Sequence, residues 1–126
     1  MEVIKDYTNS YDQMLIVEKF EAVFDYLYPI AQNIPNKHGV VKEMLIRSLT
    51  TQLKLFHIAG KSGQIQRLNE ADAELAYLRN LLRLLSKPYM RAMTIHQVET
   101  SLKMIAEVGK IMGAWVVKIK RKGQAG

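Results

Sequence analysis

The stretch TIHQVETSLKMIAEVGKIMGAWVVKIK, residues 94–120, decides the fold class. Within it Ile95, Val98, Leu102, Ile105, Gly109, Met112, Val116 and Ile119 recur in alternating steps of three and four. Such steps keep side chains on one face of an α-helix, as at the a and d positions of a heptad. Met104, Val108, Ile111 and Trp115 widen the apolar stripe, which a helix needs when it faces more than one neighbour. The start is marked as well. Thr94 and Gln97 fit a capping box, and Met93 with Val98 fits a hydrophobic staple.

The same period runs upstream. A first helix is expected from about Ser10, where Ser10 and Gln13 fit a second capping box, with the seam Ile16, Phe20, Val23, Leu27, Ile30 and Ile34. Pro29 inside it predicts a kink, Pro35 an end, and Asn36 a cap for the next helix. The second seam is Val41, Leu45, Leu49, Leu53 and Phe56, with Gly60 as its left-handed cap. The third is Leu68, Leu75, Leu78, Leu82 and Leu85, with Asn69 as an alternative cap near its start and Pro88 closing it. Expected helices therefore cover about 10–34, 37–59, 63–86 and 94–120 of a single domain, 1–126, with a basic C-terminal tail. Short loops between long helices place neighbours antiparallel, so the fold class is all-α, an up-down-up-down four-helix bundle. No longer repeat is visible.

Composition narrows the chemistry. A chain of 126 residues with 48% hydrophobic residues can bury one core and is not of disordered composition. It has no cysteine, which removes disulfides, thiolate metal sites and thiol catalysis. Met1 leads into Glu2, Lys5 and Asp6 without an apolar run, and no stretch of 18 apolar residues occurs. Neither a secretory signal nor a membrane span is expected, and the expected location is the cytoplasm.

Charge carries the strongest signal. Lys and Arg number 18 against 12 Asp and Glu, a net +6. Residues 1–36 hold two bases and six acids, so the remainder carries the excess. From Arg79 onward ten bases face only Glu99 and Glu107. Arg79, Arg83 and Lys87 recur every fourth residue and predict one ridge on the third helix. Arg91 follows in the loop. Lys103 and Lys110 share a face of the fourth helix, and Lys118, Lys120, Arg121 and Lys122 form the tail. Such a set can neutralise phosphates, with arginine forking onto two oxygens. A solvated basic face is the alternative, with up to three of these bases paired to Glu99 and Glu107. No aromatic platform interleaves with the ridge, so backbone binding with little sequence preference is expected.

Other constellations are incomplete. A di-iron bundle needs Glu-x-x-His on two helices, and the chain offers only the reverse step from His96 to Glu99. No metal or other cofactor is expected. Arg91 and His96 stand as R-x4-H, which is similar to the motif of the HEPN ribonucleases, also helical bundles. There the pair would bind and polarise the scissile phosphate. The residue after the arginine is Ala92 instead of a polar one, and the motif straddles the cap at Thr94. Gly60-Lys61-Ser62 matches only the end of a phosphate loop, without its upstream glycine or a preceding strand. Gly109 and Gly113 give G-x3-G among charged residues, read as close helix packing.

Several segments together resemble the accessory variability determinant family of diversity-generating retroelements. They are Tyr11–Glu18, Tyr26–Gln32, Ile34-Pro35, Lys37-His38-Gly39, Ala59–Ser62, Ala71-Asp72, Met93-Thr94, His96–Glu99, Ile105–Gly109 and Arg121–Gly126. A more distant similarity is to the four-helix proteins encoded by ribosomal RNA intervening sequences. The resemblance implies a basic four-helix bundle that assembles as a barrel-like homopentamer. It further implies binding of template-repeat RNA and cDNA, and association with a reverse transcriptase. The implied role is support of mutagenic cDNA synthesis and retrohoming in a bacterial or phage-infected cell, without catalytic residues. No single binding residue transfers from the family, so the expected site remains the basic set. A purely structural helical oligomer is the third reading.

Overall fold

The computed structural model describes residues 7–125. Glu2, Lys5 and Asp6, read above as part of an acidic N-terminal stretch, lie outside the described residues, as does Gly126. Four helices form: α1 (Tyr7–Gln32), α2 (Gly39–Ser62), α3 (Ile65–Leu85) and α4 (Ile95–Ala125), with a single 3-10 turn at Asn36–His38 before α2. No strand occurs among the described residues. Each helix packs on its neighbours in sequence, α4 closes against α1, and the backbones of the diagonal pairs stay apart among the described residues.

Side-chain pairs across the helices fix their direction. On α1 and α2, Gln13 meets His57, Phe20 meets Phe56, and the Gln32 carbonyl accepts from Lys42. Numbers rise on one helix as they fall on the other, which is antiparallel pairing. On α2 and α3, Ser48 donates to Glu74 and Gln52 to the Ala71 carbonyl, again in opposite order.

The core contains the expected seams with two departures: on α2, Val41 and Leu53 are only half-buried while Ser48 and Gln52 are buried, and α4 is rotated. On α1, Ile16, Phe20, Val23 and Leu27 are buried and Ile30 is half-buried; Ile34, expected on the helix, lies just past its end at Gln32 and is buried. All five α3 leucines of the expected seam are buried. On α4 the buried line is Val98, Ser101, Ile105, Val108, Met112 and Trp115. Val108 and Trp115, expected at the flank, are therefore central. Leu102, Gly109 and Val116 are half-buried, and Ile95 is 68% exposed. A helix wedged between α1 and α3 turns its largest side chain to the bundle axis. Trp115 is fully buried there, and Ser101 satisfies its hydroxyl on the Val98 carbonyl at 2.9 Å.

Helix ends correct four expectations. α1 is already helical at Tyr7, so Ser10 is not its cap, and Gln13 spends its amide on His57 instead. Pro29 lies inside one continuous helix, in agreement with the expectation of a single first helix and not two. Asn36 caps nothing: it opens the 3-10 turn, and His38 holds the cap position of α2 with no side-chain bond. Gly60 stays helical, and the left-handed cap is Gly63, at φ 63°, whose N–H reaches the Ala59 carbonyl. Asn69 lies inside α3, which starts after Gln64. The Thr94 capping box forms as expected. The Gln97 N–H donates to Thr94 Oγ1 and the Thr94 N–H to Gln97 Oε1, both at 3.0 Å. Met93 and Val98, the staple pair, are both buried.

Candidate functional site

The ten expected basic residues divide toward the two ends of the bundle, apart from Lys110, which lies midway along α4. Because α3 and α4 run antiparallel, the last turn of α3 and the first of α4 share one end. Arg79, Arg83, Lys87 and Arg91 lie toward it. The run from Lys118 to Lys122 lies at the opposite end, beside the start of α1 and the α2–α3 turn. About 22 Å of helix axis separates Lys103 from Lys118, at 1.5 Å per residue.

The α3 ridge is shorter than its spacing suggests. Arg79 and Arg83 are helical, but α3 stops at Leu85 and Lys87 sits in the turn that follows. Pro88 is the cause, since proline disfavours helical geometry at the residue before it. The Lys87 carbonyl instead accepts the Met90 and Arg91 N–H groups at 2.9 and 2.8 Å. Arg91 is thereby held at φ 49°, the left-handed region that side chains seldom occupy. Arg79 is half-buried and leans on α4: its guanidinium lies 3.5 Å from where a Cβ would stand on Gly109. Gly113, by contrast, has nothing within 4 Å of such a Cβ. Close packing within the chain therefore does not explain that second glycine.

The lysines of α4 are exposed. Lys103 and Lys110 share a face, and Lys110 pairs with Glu107 at 3.6 Å, one of the pairings expected of the alternative reading. Arg47–Glu43 and Arg67–Glu70 also pair among the described residues, and neither of these two pairs includes one of the ten. The expected tail is helical through Ala125, so Lys118, Arg121 and Lys122 share one side of α4 while Lys120 points away from them. Lys118 lies 5.9 Å above the Tyr11 ring, a cation–π contact between α4 and α1.

Two hollows flank these charges. One, of about 440 Å³, lies at the α3–α4 turn and is lined by Ser86, Pro88, Arg91, Ala92, Met93, Thr94, Ile95 and Gln97. His96 does not line it, so the R-x4-H pair is not brought to one cavity. Helix α4 begins between its two members, and His96 is exposed on the first turn. The other hollow, of about 540 Å³, lies at the α2–α3 turn and is lined by Lys54, His57, Ile58, Lys61, Ser62, Gln64 and Arg67. This second concentration of cations has no counterpart among the ten. Its signal was present in the spacing, since Lys54, Ile58 and Lys61 stand at i, i+4 and i+7 on one face of α2.

No group of three or more candidate metal ligands gathers among the described residues. No described helix is long and apolar enough to cross a membrane. Residues 14–119, most of the chain, match a family described as bAvd-like. No curated protein matches the chain.

Proposed function

Because the chain belongs to the bAvd-like family, we propose that it is a non-enzymatic accessory subunit of a diversity-generating retroelement, a single four-helix domain that binds template RNA and cDNA beside a reverse transcriptase. In this reading the chain assembles as a homopentamer. The contacts run through Arg79, Arg83, Lys87, Arg91, Lys103 and Lys110, with Lys118, Lys120, Arg121 and Lys122 extending them at the far end.

One observation carries the proposal. Among the described residues, Arg79, Arg83, Lys87, Arg91 and Lys103 make no ion pair. Two arginines a helical turn apart, without carboxylates to neutralise them, suit successive phosphates. The Arg79 guanidinium lies over α4 at Gly109. Five such subunits would gather about five times the charge of one, a strong field for a polyanion.

The test is RNA retention by a variant with Arg79, Arg83 and Lys87 all changed to Glu. Binding should collapse while the helical content and melting curve stay near those of the parent. Unchanged binding would sink the assignment. A ribonuclease using Arg91 and His96 predicts instead that the purified protein cleaves RNA and that His96→Ala stops it.

A further inference from the structure

The hollow at the α2–α3 turn collects hydrogen-bond donors and charge from two helices. Lys54, His57 and Lys61 come from one side of α2, Ser62 from its last residue, and Arg67 from the first turn of α3. Ammonium and guanidinium groups donate only. Lys54 and Lys61 are exposed and carry no ion pair among the described residues. Arg67 shares its charge with Glu70 at 3.1 Å, and Glu70 does not line the hollow.

His57 is oriented by a contact outside the hollow. The Gln13 amide donates to its Nδ1 at 3.0 Å, which leaves Nε2 as the ring's N–H donor. Gln13 can sit there because Gly60 has no side chain: a Cβ on Gly60 would collide with Oε1, Cδ and Cγ of Gln13. Thus a glycine on α2 seats a glutamine of α1, and the glutamine sets the tautomer of a histidine lining the hollow. A solvated lysine pair needs no such device.

We propose that this hollow binds a terminal phosphate of a nucleic acid, as a phosphomonoester. A monoester carries roughly −1.5 to −2 at neutral pH, more than the single charge of a backbone diester. Lys54 and Lys61 balance that charge, the Arg67, His57 and Ser62 groups supply further donors, and Ile58 with the lysine stems offers an apolar wall to the sugar. At about 540 Å³ the space falls in the range of small-ligand sites. The site lies at the end of the bundle away from Arg79, Arg83 and Lys87, so it adds a recognition element to the ridge. The source of the ligand rests on the nucleic-acid reading above; the hollow and its donors do not.

The experiment compares full-length protein binding to one single-stranded RNA sequence carrying either a 5′-phosphate or a 5′-hydroxyl, by fluorescence anisotropy. The phosphorylated form should bind about tenfold more tightly, and Lys54→Gln with Lys61→Gln should remove the difference. Inorganic phosphate and adenosine monophosphate, as competitors, should each erase it. Equal binding of the two RNAs, a preference that survives the double substitution, or failure of both competitors overturns the proposal. The triple Glu variant of Arg79, Arg83 and Lys87 separates the two readings. It should weaken both RNAs and preserve their ratio. If the ridge reading fails, neither RNA weakens and the ratio is still measurable.

Discussion

Gln13 on α1 donates its side-chain amide to Nδ1 of His57 on α2 at 3.0 Å, one helical turn from Gly60. The glutamine occupies the space a side chain on residue 60 would need. Alanine is favoured over glycine inside a helix by about 1 kcal/mol, so Gly60→Ala alone sets that gain against a displaced Gln13. The substitution should be neutral or mildly destabilising in the parent. In a Gln13→Ala background it should stabilise by about 0.5–1 kcal/mol, because the obstruction is gone. Urea denaturation of the four proteins of this cycle reads the sign change. The same gain in both backgrounds would show that Gln13 does not constrain residue 60.

Gly63 differs from Gly60 in kind. It stands at φ 63°, where a Cβ costs roughly 1–2 kcal/mol. Gly63→Ala should lower stability by about that amount, and Gly63→Asn should cost less, since asparagine tolerates this region. Thermal melts of the two variants test the ranking.

These two glycines show where the sequence was readable and where it was not. Both stand in one short motif, and both are plausible helix stops by residue type. What separates them is a side chain 47 residues upstream of Gly60, a tertiary contact that no local pattern contains. The α4 capping box was legible because its two bonds are made within four residues. The Ser10 and Gln13 pair had the same spelling, yet Gln13 is taken by His57. Periodicity identified the apolar faces but not their exact rotation. Trp115 and Val116 are equally apolar, and only packing between α1 and α3 decides which one faces the axis. The basic residues were legible as an excess of charge. Their division between two ends follows from helix direction and from the Pro88 turn, and the Lys54–Lys61 hollow from the meeting of α2 with α3.

Thr94→Ala removes one of the two reciprocal bonds at the start of α4. The expected cost is about 1 kcal/mol, the usual value for an N-cap hydroxyl. Thr94→Ser should retain most of the stability, because the accepting oxygen remains. A Ser variant as unstable as the Ala variant would assign the effect to the lost methyl group instead of the cap.

Gly109 and Gly113 carry opposite environments on adjacent turns of α4. A Cβ at 109 would meet the Arg79 guanidinium at an ordinary 3.5 Å, and one at 113 meets nothing within 4 Å. Each Gly→Ala change should therefore raise the stability of the isolated chain by up to about 1 kcal/mol. If Gly113→Ala stabilises the chain yet weakens self-association in sedimentation experiments, the glycine serves a contact between copies. If neither property moves, the gain from helix propensity is absent and the site is not the open surface described.

Gln52 offers the sharpest test of polar burial. It is fully buried between α2 and α3, where its amide nitrogen donates to the Ala71 carbonyl at 2.9 Å. Its Oε1 is buried as well and finds no partner among the described residues. An unsatisfied buried acceptor costs about 1–3 kcal/mol, whereas an apolar group of the same shape removes that cost together with one hydrogen bond. Gln52→Met keeps the volume and should leave stability equal or raise it by about 1 kcal/mol. Gln52→Glu places a charge in the same space with no cation near it in the core, and should destabilise more than any other change described here. Chemical denaturation at neutral pH should give the order Met at or above Gln, with Glu far below. A marked loss in the Met variant would mean that the bond to Ala71 outweighs the unpaired oxygen. The glutamine would then be a positive contributor to α2–α3 packing.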